Sequence, residues 1–213
     1  RSRNISDHTM ELFFLGYAPK SFHGLQEFLR KKNFSDQEVI KTGLLSQRED
    51  RTYFDRFRAR VMFPIRDQHG NIVGFTGRLL PGDESPAGKY VNTPTTALYD
   101  KSRVLYNLNL AKTQIKKQDY VIVVEGQMDV IQAFQAGTQN VVAASGTALT
   151  EFQLDALLRF TKNLMLAFDE DSAGARATER GVELALLKGF SVKIIHLPHG
   201  KDPDDCIREN REN

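Results

Sequence analysis

The sequence predicts an α/β fold, in which a parallel sheet with flanking helices follows a mixed α+β segment. From about residue 119 onward, four apolar runs rich in β-branched residues alternate with segments of helical periodicity. The runs are apolar throughout, which is typical of strands buried on both faces. Since single helices separate them, right-handed crossovers and parallel strands are expected. Helical patterns and then a hairpin pattern precede this part.

The first half of the chain predicts helices, a hairpin and a loop, in that order. Residues 5–42 predict helices, with a capping box at Ser35-Asp-Gln-Glu38 and a stop at Gly43. Residues 61–80 predict a β-hairpin, because two apolar runs flank a turn around residues 68–71. Residues 81–96 contain three of the seven prolines and predict an extended loop.

The second half predicts the parallel sheet itself. The apolar runs are residues 120–125, 140–145, 163–169 and 190–198, and the helical segments are residues 128–137, 151–160 and 172–189. Thr150-Glu-Phe-Gln153 forms a second capping box at the start of one of these helices. We therefore expect two subdomains, a basic mixed α+β part over residues 1–114 and a part over residues 115–213 that contains the parallel sheet and, as the acidic residues considered below indicate, a metal site.

Composition excludes some classes of protein and leaves others open. The net charge of +2 over 213 residues does not itself predict a nucleic-acid partner, although Lys and Arg cluster in the first half. A single cysteine, Cys206, excludes an internal disulfide and a cysteine-based zinc site within these residues, and it fits a reducing cytosol. No signal peptide and no apolar stretch near the ~20 residues of a membrane span is present. We therefore expect a cytoplasmic protein without a membrane partner, and a first residue of Arg rather than Met leads us to expect a piece of a longer chain.

Acidic residues follow three of the four predicted strands. Glu125 ends the first apolar run, Asp169 and Asp171 end the third, and Asp202 and Asp204 follow the fourth. Because the carboxyl ends of parallel strands meet at one edge, these carboxylates are expected there together. Crowded carboxylates repel one another unless a cation lies among them, and oxygen ligands alone favour Mg²⁺ or Mn²⁺. The pattern predicts a divalent-metal site.

Some of these acids also have a purely structural interpretation. Asp169 or Ser172 could cap the helix that starts near residue 173, and Asp202 could be an N-cap with Pro203 at the first helical position. Asp129, one helical turn past Glu125, could orient the site or be a solvated helix residue. We favour the metal site, because it is less probable that all five acids fall at strand ends by chance.

Three of these acidic motifs resemble a known domain. Glu125-Gly-Gln-Met-Asp129, Asp169-Glu-Asp171 and Asp202-Pro-Asp204 resemble the Toprim domain of bacterial primases and topoisomerases, and in particular the DnaG-type bacterial primases. The first half is similar to motifs of the primase RNA-polymerase domain, at Leu15–Pro19, Tyr53–Arg66, Gly77-Arg78, Lys89–Pro94 and Lys101–Tyr106. The resemblance covers nearly the whole chain and implies a Toprim-type parallel sheet preceded by the mixed α+β subdomain.

The resemblance implies a DNA primase catalytic core. Such an enzyme synthesises short RNA primers on single-stranded DNA template from ribonucleoside triphosphates, by nucleotidyl transfer with two or more Mg²⁺ or Mn²⁺ ions. It implies catalytic roles for Glu125, Asp169 and Asp171, with Asp202 and Asp204 as further metal ligands. Gly126 and Asp129 would support these ligands.

The resemblance also implies nucleotide- and template-binding residues in the basic part. Arg78 follows a glycine at the end of an apolar strand, and Lys89 lies in a Pro/Gly-rich loop. Basic residues more often lie on a solvated surface without a binding role. We assign Arg78 and Lys89 to binding because they lie in the family motifs. The full set is Arg60, Arg66, Arg78, Lys89, Tyr90, Asn92, Lys101 and Arg103.

The sequence departs from the family pattern in two respects. Glu170 stands where the family often has Gly, and the family's zinc-binding and helicase-binding domains are absent from this sequence. We expect a monomer that meets the replicative helicase through a domain outside these residues, in the bacterial cytoplasm at nucleoid-associated replication forks. The alternatives are strand cleavage by another Toprim enzyme (a topoisomerase or nuclease), a non-catalytic Toprim DNA-binding module, or a plain phosphate-binding α/β domain. A P-loop NTPase is excluded because its glycine motif is missing.

Overall fold

The chain folds into two compact units. The computed structural model describes residues 4–82, 87–145, 148–168, 172–195 and 206, and along residues 172–179 it describes the backbone path. One unit, called here the antiparallel unit, comprises Met10–Ile65 and Ile72–Lys101. The other, called the parallel unit, comprises Arg1–Thr9, Arg66–Asn71 and Ser102–Asn213. The boundary that we expect at residues 114/115 stays a prediction.

The antiparallel unit is built on a four-stranded sheet in the order β1-β4-β5-β6, with β2 and β3 forming a separate pair. α1, Asp7–Leu12, leads into this unit. Its further elements are β1 Gly16–Ala18, α2 Gly24–Lys31, α3 Asp36–Lys41, β2 Leu45–Gln47, β3 Tyr53–Asp55, β4 Arg60–Arg66, β5 Ile72–Leu79 and β6 Tyr90–Asn92. The hairpin expected over residues 61–80 is confirmed as the neighbouring strands β4 and β5. The capping box is confirmed too, since Ser35 Oγ accepts the Glu38 N–H and the Glu38 carboxylate accepts the Ser35 N–H.

Two short strands of this unit contradict the sequence prediction. β1 lies within residues 5–42, where we expect only helices, and β6 lies within the predicted loop of residues 81–96. Each has three residues, too few to show an alternating pattern. They exist because a neighbour pairs with them, Gly16 opposite Met62 for β1 and Val91 opposite Gly77 for β6. Tertiary pairing therefore decided these two segments.

The parallel unit contains the predicted α/β sheet. Its elements are α4 Leu108–Gln118, β7 Val121–Val124, α5 Gln127–Gln135, β8 Val141–Ala143, α6 Glu151–Leu158, β9 Asn163–Ala167, α7 Ser172–Leu187 and β10 Ser191–Ile194. The strand order is β10-β9-β7-β8, and the three neighbouring pairs in this order are all parallel. The predicted α/β class is confirmed. The second capping box is confirmed as well, because Thr150 Oγ1 accepts the Gln153 N–H and Gln153 Oε1 accepts the Thr150 N–H.

The core of the parallel unit lies where these helices cover the sheet. Val121, Val123, Leu164 and Leu166 of the central strands are at most 1% exposed. The fourth strand, β10, does not show the burial on both faces that we expect from the sequence, because it lies at the edge of the sheet and three of its four residues are exposed. The four buried residues of the central strands form one cluster with buried residues of the helices, among them Ile115, Leu154, Leu157 and Ala185. Burial of this kind contributes roughly 25 cal/mol for each Å² of apolar surface removed from water, and it fixes the strand order on which the site depends.

The segment of residues 102–107 is held at its end against the outer edge of β8. Tyr106 donates its N–H to the Ala143 carbonyl (2.9 Å) and accepts the Ala143 N–H (3.2 Å). The Asn107 side chain donates to the Val141 carbonyl (2.9 Å), and Gln153 Nε2 donates to the Val104 carbonyl (3.0 Å). The bonds from Tyr106 and Asn107 satisfy backbone groups on the outer side of the edge strand β8, which would otherwise be open to pairing with another chain. The bond from Gln153 instead ties Val104 to α6.

No helix of the described residues has the length and apolar character of a membrane span.

Asn107 provides a test of how this segment is held. Its backbone is left-handed (φ 71°) and its amide donates to Val141. We expect Asn107→Ala to lower the free energy of unfolding by about 2 kcal/mol, through the lost hydrogen bond and the strained φ. Asn107→Gly should lose about half as much, because glycine adopts this φ without strain. Urea unfolding followed by circular dichroism measures both, and equal losses would contradict the backbone contribution.

Candidate active site

Glu125 lies at the topological switch point of the parallel sheet. β7 has β8 on one side and β9 on the other, so the crossover from β7 to β8 and the crossover from β9 to β10 run in opposite directions. In such sheets a crevice opens at the carboxyl ends of the two central strands. Val124 is opposite Ala167, and Glu125 therefore leaves β7 beside the place where the chain leaves β9. The sheet topology makes this edge the candidate site.

A buried carboxylate fixes the turn behind Glu125. The Gly126 N–H donates to Asp129 Oδ2 at 2.9 Å, and Asp129, in the first turn of α5, is 9% exposed. A Cβ on Gly126 would lie 2.9 Å from the same oxygen, so a side chain there would displace the carboxylate. Glu125 itself is half-buried. The Glu-Gly-x-x-Asp spacing thus has a local physical reason, since the aspartate caps the helix that follows Glu125.

The other four predicted metal ligands are not placed by the structure. Asp169, Asp171, Asp202 and Asp204 lie outside the described residues. Within the described ranges, no three His, Cys, Asp or Glu side chains come together as a potential metal site. The donor set predicted from the sequence contains only carboxylates, which suit a hard cation such as Mg²⁺ or Mn²⁺. The metal site stays a prediction, and the structure contributes the position of Glu125.

Two residues that the sequence did not single out join the same edge. Gln127 is 6% exposed, and its Nε2 donates to Ser145 Oγ at 3.1 Å. Ser145 follows β8 and has a left-handed backbone (φ 61°). This bond links the loop after β8 to the start of α5, next to Glu125. The only sequence signal for it was the place of Gln127 inside the Glu-Gly-Gln-Met-Asp motif.

Several predicted binding residues come together on β5 and β6 of the antiparallel unit. Arg78 is the strand partner of Tyr90, and its guanidinium carbon lies 5.3 Å from the centre of the Tyr90 ring. Tyr90 is 45% exposed and Lys89 beside it is exposed. Asn92 Oδ1 accepts a hydrogen bond from Thr76 Oγ1 (2.8 Å). We call Arg78, Lys89, Tyr90 and Asn92 the β6 surface.

Arg60 supports this surface from beneath. It is 1% exposed, and its Nη1 donates to the carbonyls of Lys89 (2.9 Å) and Gly77 (3.3 Å), while Nη2 donates to the carbonyl of Gly88 (2.7 Å). Burial lowers the pKa of its guanidinium below the usual value. The sequence placed Arg60 among the ligand-binding residues, but the structure shows its guanidinium holding the loop that carries Lys89.

Gly77 is required by the same packing. A Cβ at this position would lie 2.8 Å from Phe57 Cδ1 and 3.0 Å from Arg60 Cδ. Because Phe57 and Arg60 are both buried, neither can move aside cheaply. The Gly77-Arg78 pair of the sequence motif is therefore explained in part by the close approach of Arg60 to β5.

The remaining predicted binding residues are divided between the units. Lys101 belongs to the antiparallel unit and is half-buried, and this burial lowers the pKa of its amine. Arg66 and Arg103 belong to the parallel unit. The guanidinium carbon of Arg103 lies 3.9 Å from the centre of the Phe152 ring.

Comparison with known proteins agrees with this arrangement. A family model described as Toprim-like matches residues 122–207, and one described as the N-terminal domain of the DNA primase catalytic core matches residues 1–112, more than half of the chain. A DNA primase of Staphylococcus epidermidis is 43% identical over 208 residues, which are 97% of this chain and 34% of that protein. The chain thus spans about a third of the length of the curated relatives it matches.

Solved structures give the same result for the fold. The zinc-binding and RNA polymerase domains of the Aquifex aeolicus primase match with a TM-score of 0.88 and 38% identity, over 98% of this chain and 51% of that one. A DnaG primase catalytic domain bound to single-stranded DNA matches with a TM-score of 0.86 and 36% identity, over 98% of this chain and 65% of that one.

The fold and the sequence match place the chain in a class of proteins in which a Toprim-like parallel sheet follows a mixed α+β unit. The chain belongs to the family of DNA primase catalytic cores.

The role of Arg60 can be tested by a conservative change. Arg60→Lys keeps the charge but cannot donate to three carbonyls in a fixed fork. We expect a loss of about 1–3 kcal/mol in the free energy of unfolding, because buried carbonyls lose their donors. The control Arg180→Lys changes an exposed arginine and should stay within about 0.5 kcal/mol of the parent. Denaturant titration compares the two, and a neutral Arg60→Lys would contradict the supporting role.

Proposed function

We propose that this chain is the catalytic core of a DNA primase, which synthesises short RNA primers on single-stranded DNA from ribonucleoside triphosphates. The observation that carries the proposal is the position of Glu125 at the switch point of a Toprim-like sheet, beside the strand end that leads to Asp169 and Asp171. The relatives are named DNA primase, and one structural neighbour is described as bound to single-stranded DNA.

The acidic residues would form the reaction centre in this proposal. Glu125, Asp169 and Asp171 would be the catalytic carboxylates, with Asp202 and Asp204 as further ligands for Mg²⁺ or Mn²⁺. Divalent ions held there would neutralise charge on the transferred phosphate and on the leaving pyrophosphate. Glu125 could also accept the proton of the attacking 3′-hydroxyl. The bond between Gly126 and Asp129 would keep Glu125 in place while this occurs.

The basic residues would bind the triphosphate and the template. On the β6 surface, Arg78 and Lys89 supply positive charge and Tyr90 offers an exposed ring, a combination that suits phosphates and stacked bases. Arg60 would act through the loop that it holds, and Lys101 would add a partly desolvated charge. Charge-based contacts of this kind predict binding that weakens steeply with salt.

We place this activity in the bacterial cytoplasm, at replication forks of the nucleoid. A monomeric chain would suffice for the chemistry, because the proposed residues all come from one chain. The replicative helicase would be a partner of the longer primase rather than of residues 1–213.

The first test measures RNA synthesis directly. The 213-residue chain, incubated with single-stranded template, Mn²⁺ and labelled ribonucleotides, should give short RNA products. Glu125→Gln, which removes the charge and keeps the shape, should reduce product by at least about 100-fold with an unchanged unfolding midpoint. Nicked plasmid in place of RNA would instead support a nuclease. A DNA mobility shift without turnover would support a non-catalytic module.

The second test separates nucleotide binding from metal binding. Lys89→Ala should raise the KM for ribonucleotides about 10-fold, because a charge-assisted contact is lost, and should leave calorimetric Mn²⁺ binding unchanged. The control Lys20→Ala removes an exposed lysine of the same unit and should leave KM unchanged. A change in Mn²⁺ binding with an unchanged KM would show that Lys89 has been assigned the wrong role.

A further inference from the structure

The parallel unit contains a cleft whose lining includes two of the predicted nucleotide- and template-binding residues, Arg66 and Arg103. Its volume is about 370 Å³, within the range of roughly 300–1,000 Å³ that small-molecule sites occupy. All of its lining residues belong to the parallel unit. The lining combines basic groups with an apolar floor, and its members are Arg66, Asp67, Gln68, Arg103, Val104, Leu105, Leu108, Phe152, Asp155, Ala156 and Arg159.

Three arginines reach this cleft from three different segments. Arg66 ends β4, Arg103 lies between Ser102 and Val104, which are bonded to the start of α6, and Arg159 is the C-cap of α6. Arg159 Nη1 donates to Gln68 Oε1 at 3.3 Å, which orients the guanidinium. The cleft thus offers guanidinium groups from several directions, the arrangement that phosphate oxygens bind best.

The two carboxylates of the cleft are engaged by other groups. Asp155 Oδ1 accepts from Lys188 Nζ at 2.6 Å. The Asp67 carboxylate accepts from the His69 N–H (2.8 Å) and from the Asn71 N–H (3.0 Å), within its own turn. Lys188 balances the charge of Asp155, so the three arginines outnumber the one remaining carboxylate, that of Asp67, and favour an anionic ligand.

A planar surface lies at one wall. Phe152, in the first turn of α6, is 48% exposed, although a phenyl ring is costly to leave in water. The guanidinium carbon of Arg103 lies 3.9 Å from the ring centre, so ring and guanidinium are already stacked. Nucleic-acid bases stack on aromatic rings and on arginine planes, while Leu105 and Leu108 supply an apolar floor.

We propose that this cleft binds one nucleotide of a single-stranded nucleic acid, with its base against the Arg103–Phe152 stack and its phosphate between Arg66 and Arg159. α6 follows β8, so its first turn, with Phe152, lies toward the same sheet edge as Glu125. The base of the bound nucleotide would thus lie nearer to this edge than its phosphate, which Arg159 at the other end of α6 would hold. The binding of a strand is inferred from the cleft itself. The role of that strand as template or primer rests on the proposed function.

Fluorescence anisotropy of a labelled single-stranded DNA 12-mer, in EDTA and without nucleotides, tests the site. Phe152→Leu keeps the apolar bulk and should weaken binding about 10-fold, because base stacking is lost. Arg159→Gln should weaken binding and reduce the slope of log K against log salt by about 0.7. Lys116→Gln removes an exposed charge that lies 5.5 Å from the Phe160 ring, outside the cleft, and should change affinity less than twofold. Equal weakening by Lys116→Gln and Arg159→Gln would overturn the site.

Cross-linking locates the strand and separates it from a free nucleotide. A 12-mer containing 5-iodouracil should cross-link to a peptide that contains Phe152, and cross-links confined to other peptides would overturn the inference. Titration with uridine monophosphate forms the second arm. Binding of the mononucleotide as tight as that of the 12-mer, and equally sensitive to Phe152→Leu, would overturn the assignment to a strand.

Failure of this inference and failure of the proposed function have different outcomes. If Glu125→Gln abolishes RNA synthesis while Phe152→Leu and Arg159→Gln bind DNA like the parent, the cleft assignment is wrong and the function stands. If the parent makes no RNA but Phe152→Leu still weakens strand binding, the cleft assignment stands and the function is wrong. Glu125→Gln itself should bind the 12-mer as the parent does.

Discussion

Parallel pairing of β7 with β9 is the constraint on which the rest of the parallel unit depends. Val124 opposite Ala167 brings the ends of two strands together that are 43 positions apart in the numbering. Because β8 lies on the far side of β7, the crossover from β7 and the crossover from β9 diverge at this edge. This register places Glu125, the acidic residue after β7, next to the end of β9. Burial of Val123 and Leu166 at 0% exposure holds the register, since a shift would break the core.

Two charged residues, one beneath the β6 surface and one beside Glu125, act by holding the backbone in place. Arg60 donates to three carbonyls of β5 and of the loop before β6, and Asp129 accepts the N–H that follows Glu125. Neither residue needs to touch a ligand to matter, because each fixes a neighbour that could. Rigid support of this kind limits the reorganisation that a bound phosphate or cation would otherwise require.

Local features were predictable from the sequence because their causes lie within a few residues. The capping boxes at Ser35 and Thr150 need only a hydroxyl and an acid or amide three residues later. The parallel sheet was predictable because its two central strands, β7 and β9, are mostly apolar and because helical segments separate the strands regularly. The edge strand β10 is not apolar throughout, since it contains Ser191 and Lys193. β1 and β6 were not predictable, since strands of three residues carry no period and depend on β4 and β5 for pairing.

The sequence by itself determined the α/β class, the family resemblance and the place of Glu125 at a strand end, because hydrophobic period and short motifs are local properties. Tertiary structure alone decided that Arg60 is buried under the Lys89 loop, that Gln127 reaches Ser145, and that Phe152 meets Arg103. Each of these contacts joins residues 18 to 49 positions apart. Long side chains can point to many neighbours, and only the packed backbone selects which one they meet.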